Sequence, residues 1–240
     1  MHLILDFGNT HIKYHLFDQG VYHSGGKVED LKSLANRLSK EHPKISEIIY
    51  ADVTGSIDKE QLQSYFNDFS IRTVKNIHLP FKSEYTTFST LGDDRIALVA
   101  AAVKKYPNQN CLIIDAGSCI TYDLITRNRI YLGGGISPGI GMRFRSLHEF
   151  TGKLPLVKEY NLEKQWGNNT FSSISNGVIQ GTISEIEGQI IRYRKLFTPL
   201  TIILTGGDAQ YLSKNIKNTI FAELNFLAEG LDYLLEFNRK

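Results

Sequence analysis

The chain of 240 residues has few cysteines, no long apolar run and almost no excess charge. Each of these shortages excludes some classes of protein. Cys111 and Cys119 flank one predicted strand without metal-ligand spacing, which predicts buried thiols in a reducing compartment. No apolar stretch has the length of a membrane span, and the run before Asp6 is too short for a signal peptide. A formal net charge of +2 with scattered basic residues lacks the positive stripe of nucleic-acid-binding proteins. We therefore expect a cytoplasmic protein that binds neither membrane nor nucleic acid.

Several familiar catalytic motifs are also missing. The sequence has no Gly-x-x-x-x-Gly-Lys-Ser/Thr loop, no Gly-x-Gly-x-x-Gly fingerprint and no Gly-x-Ser-x-Gly elbow. If the protein binds a nucleotide, it does so differently from P-loop and dinucleotide-binding proteins.

One strand-turn-strand pattern occurs twice. The apolar run Leu3-Ile4-Leu5 leads into Asp6-Phe7-Gly8-Asn9-Thr10, and Leu112-Ile113-Ile114 leads into Asp115-Ala116-Gly117-Ser118. A second strand pattern follows each turn, and the two copies lie about half the chain apart. Each half begins with strands and continues with alternating helix and strand, so we predict an α/β fold of two duplicated halves. The most suitable linker is near residues 107–110.

The hydrophobic periodicity predicts the main elements. Strands are expected over residues 2–7, 10–17, 20–25, 47–51, 111–115, 119–126, 129–136 and 201–204. Helices are expected over residues 28–40, 59–66, 93–103, 169–197 and 222–237. Pro138 is expected at a helix start, and 153–167 as a loop. The helix from Asp93 is apolar nearly all round, which predicts that it is buried.

The first acidic turn has two interpretations. Asp6 can hold a hydrated Mg²⁺, and Asn9 and Thr10 can donate hydrogen bonds to phosphate oxygens. Alternatively, Gly8-Asn9 is simply a good hairpin turn. Lys13 can face either a phosphate or solvent. The recurrence of the acidic turn at Asp115 favours a functional role.

Gly92-Asp93-Asp94-Arg95 opens the predicted buried helix. Carboxylates at a helix start can cap free N–H groups, and Asp93 alone is enough for that purpose. Two adjacent carboxylates and an arginine exceed what a cap needs. One carboxylate can accept a hydroxyl proton while the arginine binds an anionic group of a substrate.

Two glycine-rich segments complete the candidate site. Gly133-Gly134-Gly135 ends a strand before Ser137-Pro138-Gly139, which indicates either close backbone approach to a ligand or an ordinary bulge. Thr205-Gly206-Gly207-Asp208 joins a strand to a helix, where a flat Gly-Gly surface can lie against adenine or ribose. The alternative is a common strand-to-helix turn.

Taken in order, these motifs resemble those of type III pantothenate kinases, in the superfamily of acetate and sugar kinases, actin and heat-shock chaperones. The resemblance runs from about residue 3 to the last helix. It implies two duplicated ribonuclease-H-like domains, residues 1–110 and 111–240, with the active site in the cleft between them. It also implies a homodimer that uses ATP with Mg²⁺ to phosphorylate the primary hydroxyl of pantothenate, the first step of coenzyme A biosynthesis.

The resemblance also implies a role for each matching residue. Asp94 matches the general base, and Asp115 matches a ligand of a monovalent cation, K⁺ or NH₄⁺. The residues that match substrate contacts are Tyr85, Gly92, Asp93, Asp94, Arg95 and Thr170. The residues that match the ATP phosphate-binding turn are Asp6, Phe7, Gly8, Asn9, Thr10, His11, Ile12 and Lys13. Ser118 stands where the family usually has a threonine in contact with ATP, and it keeps the hydroxyl.

Two alternatives stay open at this point. One is a kinase of another small hydroxylated substrate on the same fold. The other is a non-catalytic nucleotide-binding regulator. The presence of Asp6, Asp94 and Asp115 together argues against the regulator, because a degenerate member would be expected to lack at least one of them.

Overall fold

The structure is a computed structural model that describes residues 1–67, 69–158, 166–217 and 221–239. Its contacts divide the chain into two compact units. Unit 1 comprises Met1–Asn108, Ile125–Gly133 and Asn225–Lys240, and unit 2 comprises Gln109–Leu124 and Gly134–Leu224. The predicted limits of the duplicated domains, residues 1–110 and 111–240, stay a prediction.

Strands and helices alternate along most of the described chain. The strands are β1 (His2–Phe7), β2 (Ile12–Asp18), β3 (Val21–Val28), β4 (Glu47–Asp52), β5 (Ser70–Thr73), β6 (Lys82–Ser83), β7 (Asn110–Ala116), β8 (Cys119–Ile125), β9 (Ile130–Pro138), β10 (Leu200–Thr205) and β11 (Phe221–Ala222). The helices are α1 (Leu31–Glu41), α2 (Lys59–Tyr65), α3 (Asp93–Lys105), α4 (Ile140–Glu149), α5 (Thr170–Leu196), α6 (Ala209–Ser213) and α7 (Phe226–Phe237). Within the described ranges, no helix combines the length and apolarity needed to cross a bilayer.

The sheet of unit 1 is centred on β1. Its strand order is β3-β2-β1-β4-β5, and β1 runs antiparallel to β2 and parallel to β4. Leu3, Leu5 and Phe7 on β1 share a core with buried residues of α1 and α2. Helix α7 contacts β1 and packs against α3. Arg95–Val103 of α3 are all buried, which confirms the burial predicted from its composition.

The second sheet repeats this arrangement. Its order is β11-β10-β7-β8-β9-β6, and β10 runs parallel to both β7 and β11. In each set of five consecutive strands, the first lies between the second and the fourth, with the third and the fifth outside them. The short β6 adds to the Ile130–Tyr131 end of β9, a segment that, like β6, belongs to unit 1. The topology confirms an α/β fold built by duplication of a ribonuclease-H-like unit.

A few local predictions differ from the structure. Pro138 ends β9 instead of opening a helix, and Gly139 is the N-cap of α4. The last helix begins at Phe226, because Phe221–Ala222 pair with β10 as a strand. Part of the predicted loop 153–167, residues 159–165, lies outside the described residues.

Candidate active site

The first acidic turn joins β1 to β2 in unit 1. Asp6 is half-buried near the end of β1 and is paired across the strands with Lys13. Burial raises the pKa of Asp6, and the positive charge of Lys13 acts in the opposite direction. A Cβ added to Gly8 would lie 3.3 Å from the carbonyl oxygen of His11, so the turn is tight without overlap. The exposed members of the predicted phosphate-binding set are Asn9, Thr10, His11 and Lys13.

Two members of the predicted phosphate-binding set have their side chains in or against the core. Phe7 is 1% exposed, and its ring meets Tyr50 edge-on at 6.0 Å. Ile12 packs against the same core cluster. These apolar side chains hold the strands that carry the turn, so a ligand at this turn would meet the exposed polar residues and the backbone.

The start of α3 presents one carboxylate outward and one inward. Gly92 is the N-cap, and because glycine has no side chain it makes no side-chain capping bond. Asp94 is half-buried, and its Oδ1 accepts a hydrogen bond from the backbone N–H of Arg95 at 2.8 Å. Asp93 is only 8% exposed. The two adjacent aspartates therefore have different environments.

Burial dominates the electrostatics of Asp93. It raises the pKa of this carboxyl, while the charge of Lys75 and the backbone N–H of Asp52 act to lower it. Burial disfavours the charged form of a carboxyl, which is the cause of the raised pKa. The position of Asp93 explains this burial, because Ile96, Ala97 and Ala100 follow it at the spacing of one helix face.

Tyr85 and Arg95 come together in unit 1. The guanidinium of Arg95 lies 5.6 Å from the centre of the Tyr85 ring, a cation–π contact. Tyr85 stacks in turn on Tyr131 at 6.1 Å, and its backbone N–H donates to Ser83 Oγ at 3.1 Å. These contacts fix two of the predicted substrate-binding side chains beside each other at the start of α3.

The second acidic turn joins β7 to β8 in unit 2. Asp115 is half-buried at the end of β7, and Ser118 is exposed in the turn. The backbone N–H of Gly117 donates to the carbonyl of Cys119 at 2.9 Å, which closes the turn over two residues. Asp115 thus lies at the end of the strand that leads into the turn carrying Ser118.

Two glycine-rich segments, which contain Gly206 and Gly139, pack closely against the second turn and the end of β7. A Cβ added to Gly206, whose φ is +95°, would overlap Oδ1 of Asp115 and the carbonyl of Ala116. A Cβ added to Gly139 would overlap the carbonyl of Gly117, and the N–H of Gly139 donates to the carbonyl of Ser118 at 3.2 Å. Gly139 and Gly206, one from each glycine-rich segment of the sequence, therefore help to build the second turn, a role that their spacing alone did not indicate.

Thr170 lies elsewhere in unit 2. It is the first residue of α5, after an Asn169–Ser172 capping box, and it is exposed. It lines a cavity of about 720 Å³ between α4 and α5. The other residues lining this cavity include Arg143, Leu147, Leu154, Ile174 and Val178. Thr170 thus stands on a different element from the other predicted substrate contacts, all of which are in unit 1.

The acidic residues suit cations that bind together with phosphates. Among the residues described, no three His, Cys, Asp or Glu side chains form a metal cluster. Mg²⁺ usually takes only one or two carboxylates and completes its shell with phosphates and water, so Asp6 is sufficient on the protein side. At the second turn, the carboxylate of Asp115 lies against bare backbone at Gly206, and carboxylate oxygen is the ligand that hard cations prefer.

The duplicated topology and the paired acidic turns define the class of protein. Solved structures with the same fold include a Baf family protein from Campylobacter jejuni, which is 23% identical with a TM-score of 0.64 and 98% of each chain covered. A glucokinase from an Antarctic psychrotroph has a TM-score of 0.51 at 10% identity, again with 98% of each chain covered. At these identities the likeness concerns the fold, which is that of the duplicated ribonuclease-H-like proteins.

Closer relatives identify the family within that class. The sequence profile of type III pantothenate kinase matches residues 2–192. The type III pantothenate kinase of Christiangramia forsetii is 48% identical over 246 residues, covering 100% of this chain and 99% of the relative. That of Flavobacterium johnsoniae is 39% identical, with 99% and 98% covered. The chain belongs to the type III pantothenate kinase family.

Proposed function

We propose that this protein transfers the γ-phosphoryl group of ATP to the primary hydroxyl of pantothenate. The product is 4'-phosphopantothenate, and the reaction is the first step of coenzyme A biosynthesis. The observation that carries the proposal is the full-length identity of 48% with a type III pantothenate kinase. The acidic residues of the motifs support it, because Asp6, Asp94 and Asp115 are all present.

Asp94 is the proposed general base. It stands half-exposed at the start of α3, and the hydrogen bond from the N–H of Arg95 orients its carboxylate. It would accept the proton of the pantothenate hydroxyl as the oxygen attacks the γ-phosphorus. A strong base is not required, because the transition state of phosphoryl transfer is largely dissociative and positioning dominates.

The segment from Gly92 to Arg95, together with Tyr85, is the proposed pantothenate-binding part of unit 1. Arg95 supplies a cation that the Tyr85 ring holds in place, which suits an acidic substrate. Asp93, which is buried to much the same extent as Arg95, is proposed to contribute to the same segment. Thr170 is proposed as a further pantothenate contact.

The turn from Asp6 to Lys13 is the proposed phosphate-binding element. Asn9 and Thr10 are exposed and can donate hydrogen bonds to phosphate oxygens, and Lys13 can neutralise part of their charge. When bound with ATP, Mg²⁺ neutralises charge on the phosphates. Asp6 would hold this ion, and the presence of a cation would favour the ionised carboxylate against the effect of burial.

Asp115 is proposed to hold a monovalent cation, K⁺ or NH₄⁺, and Ser118 to contact ATP. Both lie on the second acidic turn. The test is turnover in buffers that contain K⁺, NH₄⁺ or Na⁺ at equal ionic strength. We expect a sharp fall in rate with Na⁺ for the wild-type protein, and little difference between ions for Asp115→Asn. Equal rates of the wild type in all three buffers would remove this role from Asp115.

We further propose a cytoplasmic homodimer with no nucleic-acid or membrane partner. The family resemblance supports the dimer, and the low net charge of +2 supports the absence of nucleic acid. Size-exclusion chromatography with light scattering tests the assembly, where a monomer at micromolar concentration would contradict the proposal.

The proposed activity is tested by an acceptor panel. ATP consumption is measured with pantothenate, glucose, N-acetylmannosamine and acetate, and the phosphorylated product is identified by mass. We expect product with pantothenate alone. Turnover of a sugar or of acetate without pantothenate would establish another kinase of the same fold. ATP binding without turnover on any acceptor would indicate a regulator.

A further inference from the structure

A polar cluster in unit 2 lies outside every role assigned above. Its centre is the half-buried Glu185, in the middle of α5. Oε1 of Glu185 accepts a hydrogen bond from the Tyr122 hydroxyl at 2.8 Å, and Oε2 accepts one from Ser137 Oγ at 3.0 Å. Arg143 of α4 also donates to Oε2 and forms an ion pair there. One carboxylate therefore joins β8, β9, α4 and α5.

The surroundings of Glu185 favour its charged form. Burial alone would raise the pKa of this carboxyl, but the hydrogen bonds from Arg143, Tyr122 and Ser137 outweigh burial and hold the pKa below its ordinary value. Hydrogen bonds to a charged acceptor are stronger than bonds between neutral groups. These hydrogen bonds therefore hold the side chains of Glu185, Arg143, Tyr122 and Ser137 in fixed positions.

Arg143 also connects the cluster to the segment that precedes α4. Its Nε donates to the carbonyl of Pro138 at 2.8 Å, and its Nη2 donates to Ser137 Oγ at 2.9 Å. The next residue, Gly139, donates its N–H to the carbonyl of Ser118 and lies in close contact with Gly117. A continuous series of contacts therefore leads from Glu185 to the second acidic turn.

We propose that Glu185 is a positioning residue for the nucleotide. Through Arg143, and through its own hydrogen bond from Ser137 Oγ, it holds residues 137–139 against the turn that follows Asp115 and carries Ser118. The inference rests on the proposed role of that turn in ATP binding. Glu185 itself touches no substrate in this account.

The first test is steady-state kinetics with Glu185→Gln and Glu185→Ala. Because displacement of a binding group by a fraction of an ångström weakens productive binding, we expect KM for ATP to rise roughly tenfold in Glu185→Ala and less in Glu185→Gln. KM for pantothenate in Glu185→Gln should change less than KM for ATP, because Arg143 is the one member of the cluster that lines the cavity beside Thr170. Glu187→Gln is the matched control, since Glu187 is also half-buried on α5 but accepts from the backbone N–H of Lys217. An unchanged KM for ATP in both Glu185 variants would overturn the proposal.

A double-mutant cycle tests whether Arg143 is the intermediary. If Glu185 acts through Arg143, the Arg143→Ala and Glu185→Ala double variant should bind ATP no more weakly than the worse single variant. Fully additive losses would contradict the proposed route.

Hydrogen–deuterium exchange gives a readout that needs no turnover. We expect faster amide exchange across residues 117–119 and 137–141 in Glu185→Ala, with the other described strands of unit 2 unchanged. Unaltered exchange in these segments would refute the positioning role even if activity fell. If the wild-type protein fails to phosphorylate pantothenate, the proposed function falls, whereas the exchange comparison still decides whether Glu185 positions the turn. A general loss of protection would indicate misfolding of Glu185→Ala, and Glu185→Gln would then decide the outcome.

Discussion

The two acidic turns begin with the same pattern but are built differently. The turn after β1 spans residues 8–11, most of them exposed, and a Cβ at Gly8 would make a close contact with the carbonyl of His11 without overlapping it. The turn after β7 has two residues. A Cβ at Gly139 would overlap the carbonyls of both, and a Cβ at Gly206 would overlap Asp115 and Ala116 at the end of β7. The atoms nearest to Gly8 belong to the first turn and to β1, whereas other segments of unit 2 pack on the second turn.

This difference separates two uses of glycine. At the first turn, the atoms near Gly8 belong to the same strand and turn, so we expect a ligand to approach the turn beside Asp6 and Lys13. At the second turn, Gly139 and Gly206 leave space that neighbouring backbone already fills. A substitution at the first turn should therefore affect ligand binding, whereas one at the second should affect folding as well.

The largest effect is expected at Gly206. In Gly206→Ala the new Cβ would overlap Asp115 and Ala116 at a positive φ, so we expect a loss of about 1–3 kcal/mol in the free energy of unfolding and strongly reduced turnover. Chemical denaturation and kcat/KM measure the two losses. Gly207→Ala is the control, because a Cβ there meets no atom within 4 Å. Equal stability of the two variants would show that the packing at Gly206 is not as described.

A smaller and more selective effect is expected at Gly8. A Cβ in Gly8→Ala lies 3.3 Å from the His11 carbonyl, so the free energy of unfolding should change by only about 0.5 kcal/mol. KM for ATP should nevertheless rise, because the methyl group occupies the proposed phosphate side of the turn. If Gly8→Ala were as unstable as Gly206→Ala, or if its KM for ATP were unchanged, the proposed difference between the two turns would be wrong.

The smallest effect concerns Asp93 and pH. Its pKa is raised in the folded state, so the folded protein retains the proton over a range where the unfolded chain releases it, and stability falls as pH rises through that range. Asp93→Asn has no ionisable carboxyl at this position and so lacks this fall in stability. Relative to wild type, the free energy of unfolding of the variant should therefore increase as pH rises from acid to neutral. Denaturation midpoints across that range measure the gain.

The pKa of Asp30 is shifted in the opposite direction to that of Asp93, so Asp30 is a useful comparison. Hydrogen bonds from Ser33 at the start of α1 lower the pKa of this exposed carboxyl. Asp30 therefore stabilises the fold above its unfolded pKa, and Asp30→Asn should lose more stability at neutral than at acid pH. The same pH trend in Asp93→Asn and Asp30→Asn would contradict the assignment for Asp93.

Much of the fold was readable from the sequence because its signals are local. Apolar runs that end in Asp-x-Gly predicted β1, β7 and both turns, and the 3.6-residue period predicted α5 within one residue at each end. The four-residue β5 and two-residue β11 were missed, because such short segments carry no readable alternation. Their pairing with β4 and β10 comes from the rest of the sheet.

The site was less readable because it depends on contacts between distant segments. Nothing in the spacing indicated that Gly139 and Gly206 meet the turn at Asp115. The different surroundings of Asp93 and Asp94 had a usable signal, since Asp93 shares a helix face with Ile96 and Ala97. The sequence carried no signal for the role of Glu185, because a single glutamate beside a stripe of isoleucines resembles any solvent-exposed position of a helix.

The most direct test of the account compares the wild type with Asp94→Asn in the pantothenate reaction. Product mass and ATP affinity are measured on the same preparations. The account predicts 4'-phosphopantothenate from the wild type and, because one positioned catalytic group contributes on the order of 10²–10⁴ in rate, a loss of that size in Asp94→Asn with ATP still bound. Wild-type rates in Asp94→Asn would contradict the assignment of the base, and no phosphopantothenate from the wild type would contradict the function itself.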